Sequence, residues 1–221
     1  MAKLNLILSA FFTIFISAAY AYDDGDFQVW NTEVEEWKIN DTSRIALEEE
    51  FRFADDASEF YYYHFDAGYA YDVNKHLALG MNYRQVFDKK QAHGKFKQEE
   101  RPHINAIIKY ELFGFSLDDR NRLEYRHFNY QTDSFRYRNK FTVKLPWKFT
   151  KLEIQPYFAD EVFINLNGID FNRNRFYSGL GFAIIKRLKG EIYYMLQRSK
   201  SSGTCVWSDA NILGTKFKII F

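Results

Sequence analysis

Cysteine is nearly absent from this 221-residue chain: Cys205 stands alone, so no internal disulfide is available. There are only 3 prolines, few enough to leave many strands unbroken. Charge of one sign is missing too, since 30 Lys and Arg face 29 Asp and Glu, and strong steering toward nucleic acid is not indicated. Beyond Ala21 no apolar run reaches the roughly 20 residues of a spanning helix, which excludes a helical membrane protein. No HExxH, GxSxG or phosphate-binding loop occurs. The five histidines, His64, His76, His93, His103 and His127, are scattered without metal-ligand spacing, so no metal and no cofactor is expected.

What the chain has in abundance is aromatic side chains, 19 % of its residues, and a hydrophobic leader. Lys3, the apolar run Leu4 to Ala18 and the small residues Ala19 and Ala21 have the layout of a secretory signal peptide cleaved after Ala21. The expected organisation is a signal peptide over 1–21 and one domain over 22–221. No Cys follows the cleavage site, which argues against a lipoprotein anchor.

The remaining sequence alternates with period two in segments of ten to thirteen residues. From Tyr63 to Val73 the odd positions are Tyr, Phe, Ala, Tyr, Tyr and Val, and the even ones His64, Asp66, Gly68, Ala70 and Asp72. Leu77, Leu79, Met81 and Tyr83 alternate with Ala78, Gly80, Asn82 and Arg84 after a turn at Asn74 and Lys75. Ile104, Ala106, Ile108, Tyr110 and Leu112 lead to a two-residue turn at Phe113 and Gly114 that pairs Leu112 with Phe115. Further segments read at about 27–38, 44–54, 135–145, 150–162, 174–186, 190–199 and 209–221. Tight turns near 41, 75, 113, 147 and 188 alternate with longer polar connections, as in outer-membrane barrels. A soluble β-sandwich also alternates, but its strands run about five or six residues.

The expectation is therefore an all-β antiparallel transmembrane barrel of 10 to 12 strands in the outer membrane of a Gram-negative cell. Eleven segments are countable, whereas bacterial single-chain barrels have even numbers, so either the segment 27–38 does not span or one strand has been missed. Phe217, Ile219 and Phe221, at every second position of the last segment, have the form of an assembly signal for the outer-membrane barrel machinery. Lipid and lipopolysaccharide are the other expected partners.

The segments NRLEYR (121–126), RYRNKF (136–141), PYFADEVF (156–163) and NRFYSGLGF (174–182), after Trp30 through Phe53, resemble a family of bacterial outer-membrane barrels catalogued as domain of unknown function 2490. The resemblance implies a barrel with no assigned activity and supplies no catalytic residues.

The distinctive constellation is a charged ladder on the expected lumen face, Arg120, Arg122, Glu124 and Arg126 against Arg136, Arg138 and Lys140. A loop centred near Gln131 would set Glu124 opposite Arg138 and Arg126 opposite Arg136. Glu111, Asp118, Glu153 and Glu161 are acidic partners for it. Charges in a narrow lumen must pair or stay hydrated, which implies a salt-bridged, largely plugged barrel or a basic strip drawing anions through a narrow passage. The alternative is a membrane-embedded hydrolase acting on lipid or peptide, for which a Ser or Asp hydrogen-bonded to His64 or His127 would be the sign. His64 with Asp66 is the only acid-base pairing suggested within one strand. Cys205 is incidental, and the lysines between Asp88 and Glu100 could meet lipopolysaccharide phosphates.

Overall fold

Alternation along most segments gives a strand one more polar and one more apolar face, and such strands bury the polar face by closing on themselves. The computed structural model describes residues 24–89, 93–200 and 206–221. In it eleven strands form a closed barrel: β1 (Asp26–Lys38), β2 (Ser43–Ala54), β3 (Glu59–Asn74), β4 (Leu77–Lys89), β5 (Phe96–Leu112), β6 (Phe115–Phe128), β7 (Ser134–Lys144), β8 (Gln155–Asn165), β9 (Asp170–Ile185), β10 (Leu188–Lys200) and β11 (Trp207–Ile220). Ala19 and Ala21, expected at a signal cleavage site, and Cys205 lie outside the described residues.

All neighbours in sequence pair antiparallel, and β1 closes the barrel against β11 in parallel, from Asp26 with Ala210 to Glu36 with Ile220. An odd count demands this, because in an up-and-down meander the first and last of eleven strands point the same way. The expectation of an even number is thus corrected: the first segment is a full strand, and closure is by one parallel seam.

Turn chemistry defines one end of the barrel. Phe113 and Gly114 have φ of 51° and 83°, the doubly left-handed conformation of a two-residue type I′ hairpin, and Leu112 pairs with Phe115 as the sequence implied. At two other turns an Asn side chain holds the chain: Asn40 Oδ1 accepts from the Thr42 and Ser43 amides, and Asn74 Oδ1 from those of His76 and Leu77. The connection near 147 is not tight. It runs from 145 to 154, carries a small Phe149–Ile154 bridge and delays β8 to Gln155, so the segment expected at 150–162 is displaced. Pro146 and Pro156, which lack an amide donor, flank it.

The outward face is apolar over β3 to β5, where Phe65, Met81, Tyr83 and Ile104 are exposed. Around the opposite rim, the loop rim, aromatic rings gather in sequence: Phe53 against Phe60, Phe60 against Phe96, Tyr63 stacked on Phe87, Tyr125 tilted against Phe135, and Phe171 tilted against Trp207. At the turn end Trp37 stacks on Phe221 at 5.3 Å, and the Phe221 amide donates to the Glu36 carbonyl, stitching β11 to β1. Phe217 and Ile219 lie on the same outward side, opposite Glu33 and Glu35 across the seam.

Candidate functional site

The inward face is where the fold concentrates charge. Arg120, Arg122, Glu124 and Arg126 of β6 and Arg136, Arg138 and Lys140 of β7 all point into the lumen, where Glu124 has no exposure at all. Their register differs from the expected one: Glu124 lies opposite Arg136, Arg122 opposite Arg138, and Arg120 opposite Lys140. The loop centres on residue 130, because Asp133 folds back to accept the Phe128 amide through Oδ1 and closes the hairpin early. A shift of two in pairing keeps every side chain on its face, so the alternation remained correct while the partners changed.

Three carboxylates organise the wall. Glu124 takes Arg136 Nε at 2.7 Å and Arg138 Nη1 at 2.8 Å. Glu161 on β8 takes Arg138 Nη2 at 2.7 Å, Arg120 Nη2 at 2.8 Å and the Tyr177 hydroxyl at 3.0 Å. Glu99 on β5 holds Arg126 through both Nε and Nη2, and Arg101 through Nε at 2.7 Å. Of the expected acidic partners only Glu161 belongs to this group. Asp118 pairs with Lys144 nearer the turn end, Glu153 pairs with Lys148 in the exposed connection, and Glu111 is exposed beside the Phe113 turn.

Sequence reasoning missed the opposite wall. Arg52 on β2 is sandwiched between Trp30 at 3.6 Å and Tyr62 at 3.9 Å while donating to Glu50. Arg84 on β4 bridges Asp66 and Glu48 at 2.7 and 2.9 Å. On β9, Arg173 and Arg175 join Arg136 and Arg138 around the Phe163 ring, at 4.5 to 5.7 Å from its centre. The signal existed in the period-two spacing of NRNR at 172–175 and of Arg52 and Arg84 on polar faces.

These residues line a cavity of about 670 Å³ that opens at the loop rim, near Gln131, Lys200 and Asp209, and descends to Glu48, Arg120, Lys140 and Lys216. Fourteen Lys and Arg line it against six Asp and Glu, so its field is positive. Toward the turn end the interior is crossed by ion pairs, Arg44 and Lys109 to Asp72, Lys218 to Glu36 and Lys216 to Glu48.

The histidines make no catalytic arrangement in this basin. His64 meets the Tyr62 hydroxyl at 3.1 Å and Glu48 at 3.3 Å, while Asp66 is held by Arg84 and Asn82, so the suggested His64–Asp66 pair does not form. His127 does show the sign named for a hydrolase, an Asp at hydrogen-bond distance: Asp133 lies 3.0 Å away, on the outer side of the loop rim. Asp133 is there a brace, held down to about 2 by hydrogen bonds from His127, Tyr125 and the Phe128 amide, and no hydroxyl nucleophile bonds His127 among the described residues. Among those residues no three His, Cys, Asp or Glu gather as a metal site. In the stretch from Asp88 to Glu100, Lys89 pairs with Glu59 and Lys97 lies over Tyr130.

No curated protein matches the chain. A family model described as a protein of unknown function, DUF2490, matches residues 27–208, from the first residues of β1 into β11. With this β-barrel and that match over most of its length, the chain belongs to the DUF2490 family.

Proposed function

We propose that the protein is an exported outer-membrane barrel whose lumen is an anion-receiving vestibule, open at the loop side and closed by ion pairs at the turn side. The excess of Lys and Arg over Asp and Glu around the cavity carries this reading. A low-dielectric wall focuses such a field and raises the local concentration of anions. The apolar belt over β3 to β5 and the ring of aromatic residues at the loop rim support placement in a bilayer, with outer-membrane lipid and lipopolysaccharide around it and the barrel assembly machinery as the partner for insertion. The short turns then face the periplasm.

Planar-bilayer recording in a KCl gradient tests the vestibule. The wild-type barrel should pass little steady current. A variant in which Arg44, Asp72 and Lys109 are all replaced by Ser, removing one bar of the floor, should show steps that reverse on the chloride side. Steps from that variant that prefer potassium, or a wide ohmic conductance from the wild type, would contradict the reading.

A further inference from the structure

Most guanidinium groups in the lumen hydrogen-bond to carboxylates, but four cations on the β6–β9 wall are oriented by neutral groups, two of them with no ion pair among the described residues and two with only a long one. Arg173 Nε donates to Ser199 Oγ at 3.1 Å, and Arg175 Nε to Gln197 Oε1 at 2.8 Å. Arg122 Nε donates to Asn105 Oδ1 at 2.7 Å. All three acceptors are neutral. Arg175 and Arg122 each keep a long ion pair at 3.7 Å, to Glu161 and Glu124, beyond hydrogen-bond reach, and among the described residues Arg173 has no ion pair. Lys140 lies 3.7 Å over the Tyr177 ring, again without an ion pair among the described residues. Close by, Arg120 carries a buried Nε with no acceptor.

A guanidinium tethered through Nε to a neutral group keeps its charge and turns its two Nη groups outward as a fork, the geometry that grips a phosphate. Arg173 and Arg175 are two residues apart on β9, so their backbones are separated by about 6.6 Å. Both forks can therefore converge on one tetrahedral dianion, which offers three oxygens and two charges where a carboxylate offers two oxygens and one charge. Around them the lining offers neutral hydrogen-bonding groups, Gln131 and Asn172, toward the loop rim. Such groups suit the hydroxyls of a sugar, and about 670 Å³ accommodates one.

We propose that the basin binds a phosphorylated sugar, its phosphate held between Arg173 and Arg175 and its hydroxyls toward Gln131 and Asn172. This rests on the reading of the lumen as an anion vestibule. It names a ligand class that charge alone would not select, since halide needs no fork and a plain sugar needs no cation.

Isothermal titration of the folded barrel with glucose 6-phosphate, glucose and sodium glucuronate at constant ionic strength tests it. Glucose 6-phosphate should bind, glucose should not, and glucuronate should bind more weakly. The double variant Arg173→Gln/Arg175→Gln should lose about tenfold or more in affinity, because two charge-assisted contacts are removed. Arg198→Gln, on the outward face, should bind as the wild type does. Equal binding of glucuronate and glucose 6-phosphate, or no change in the double variant, would overturn the proposal. If glucose 6-phosphate fails to bind while the floor-opened variant still prefers chloride, the ligand class falls and the vestibule stands. If chloride preference is absent as well, both fall.

Discussion

Glu161 is 1 % exposed and accepts hydrogen bonds from two arginines and a tyrosine. A carboxylate in that position fixes the wall, because removing it strands positive charge where water is scarce. Glu161→Ala should therefore destabilise the barrel by about 3 to 5 kcal/mol, read as a lower urea midpoint in refolding followed by gel mobility; no change would show that the network carries no stability. On the outward face the expectation is different. Ile104 sits near the middle of β5 and is 57 % exposed, so in a bilayer it meets hydrocarbon. Ile104→Arg should cost about 2 to 4 kcal/mol near the midplane, measured by the same assay in lipid vesicles. Lys109→Arg, inside the lumen, should be mild, and equal effects would contradict the assigned faces.

At the scale of strands, the alternation of apolar and polar residues was enough to locate all eleven segments and to assign faces in β3 to β7 and β11, from Tyr63 to Val73 as clearly as anywhere. Pairing partners were less legible. In the β6–β7 hairpin the register turns on Asp133 reaching back to the Phe128 amide, a side-chain contact that no periodicity records. The late start of β8 likewise depends on nine residues between two prolines folding on themselves. The parallel seam was hidden for another reason: closure is a property of the whole count, and β1 and β11 lie at opposite ends of the sequence. Two strand-scale outcomes follow. Phe221→Ala removes the stack on Trp37, and the barrel should open at lower urea while Phe113→Ala, at a solvent-exposed turn, should not. Glu33 and Glu49 face each other directly across β1 and β2 on the outward side, a like-charge pair, so Glu49→Leu should stabilise by about 0.2 to 1 kcal/mol or more in lipid; a loss of stability would mean that these carboxylates have a favourable partner.

Taken as a whole, the molecule is a ring of alternating strands that turns apolar residues outward and cations inward. The basic ladder of β6 and β7 was readable because its residues fall at every second position of adjacent strands. The fuller basin was not, since Arg52, Arg84, Arg173 and Arg175 come together only when distant strands curl round a common axis. The tethering of Arg173, Arg175 and Arg122 to neutral groups was invisible for the same reason, as their acceptors Ser199, Gln197 and Asn105 are chosen by register. The odd strand count also places Asp24 at the loop rim and Phe221 at the turn rim, on opposite sides of whatever the barrel spans. The measurement that tests the central claim most directly is nitroxide scanning of β5 from residue 103 to 108 in lipid vesicles, in a Cys205→Ser background. Oxygen, which partitions into lipid, should relax labels at positions 104, 106 and 108, while a water-soluble nickel complex should reach none of those three. If the nickel complex relaxes the labels at 104, 106 and 108 as strongly as oxygen does, the outward face is in water and the protein is not a membrane barrel.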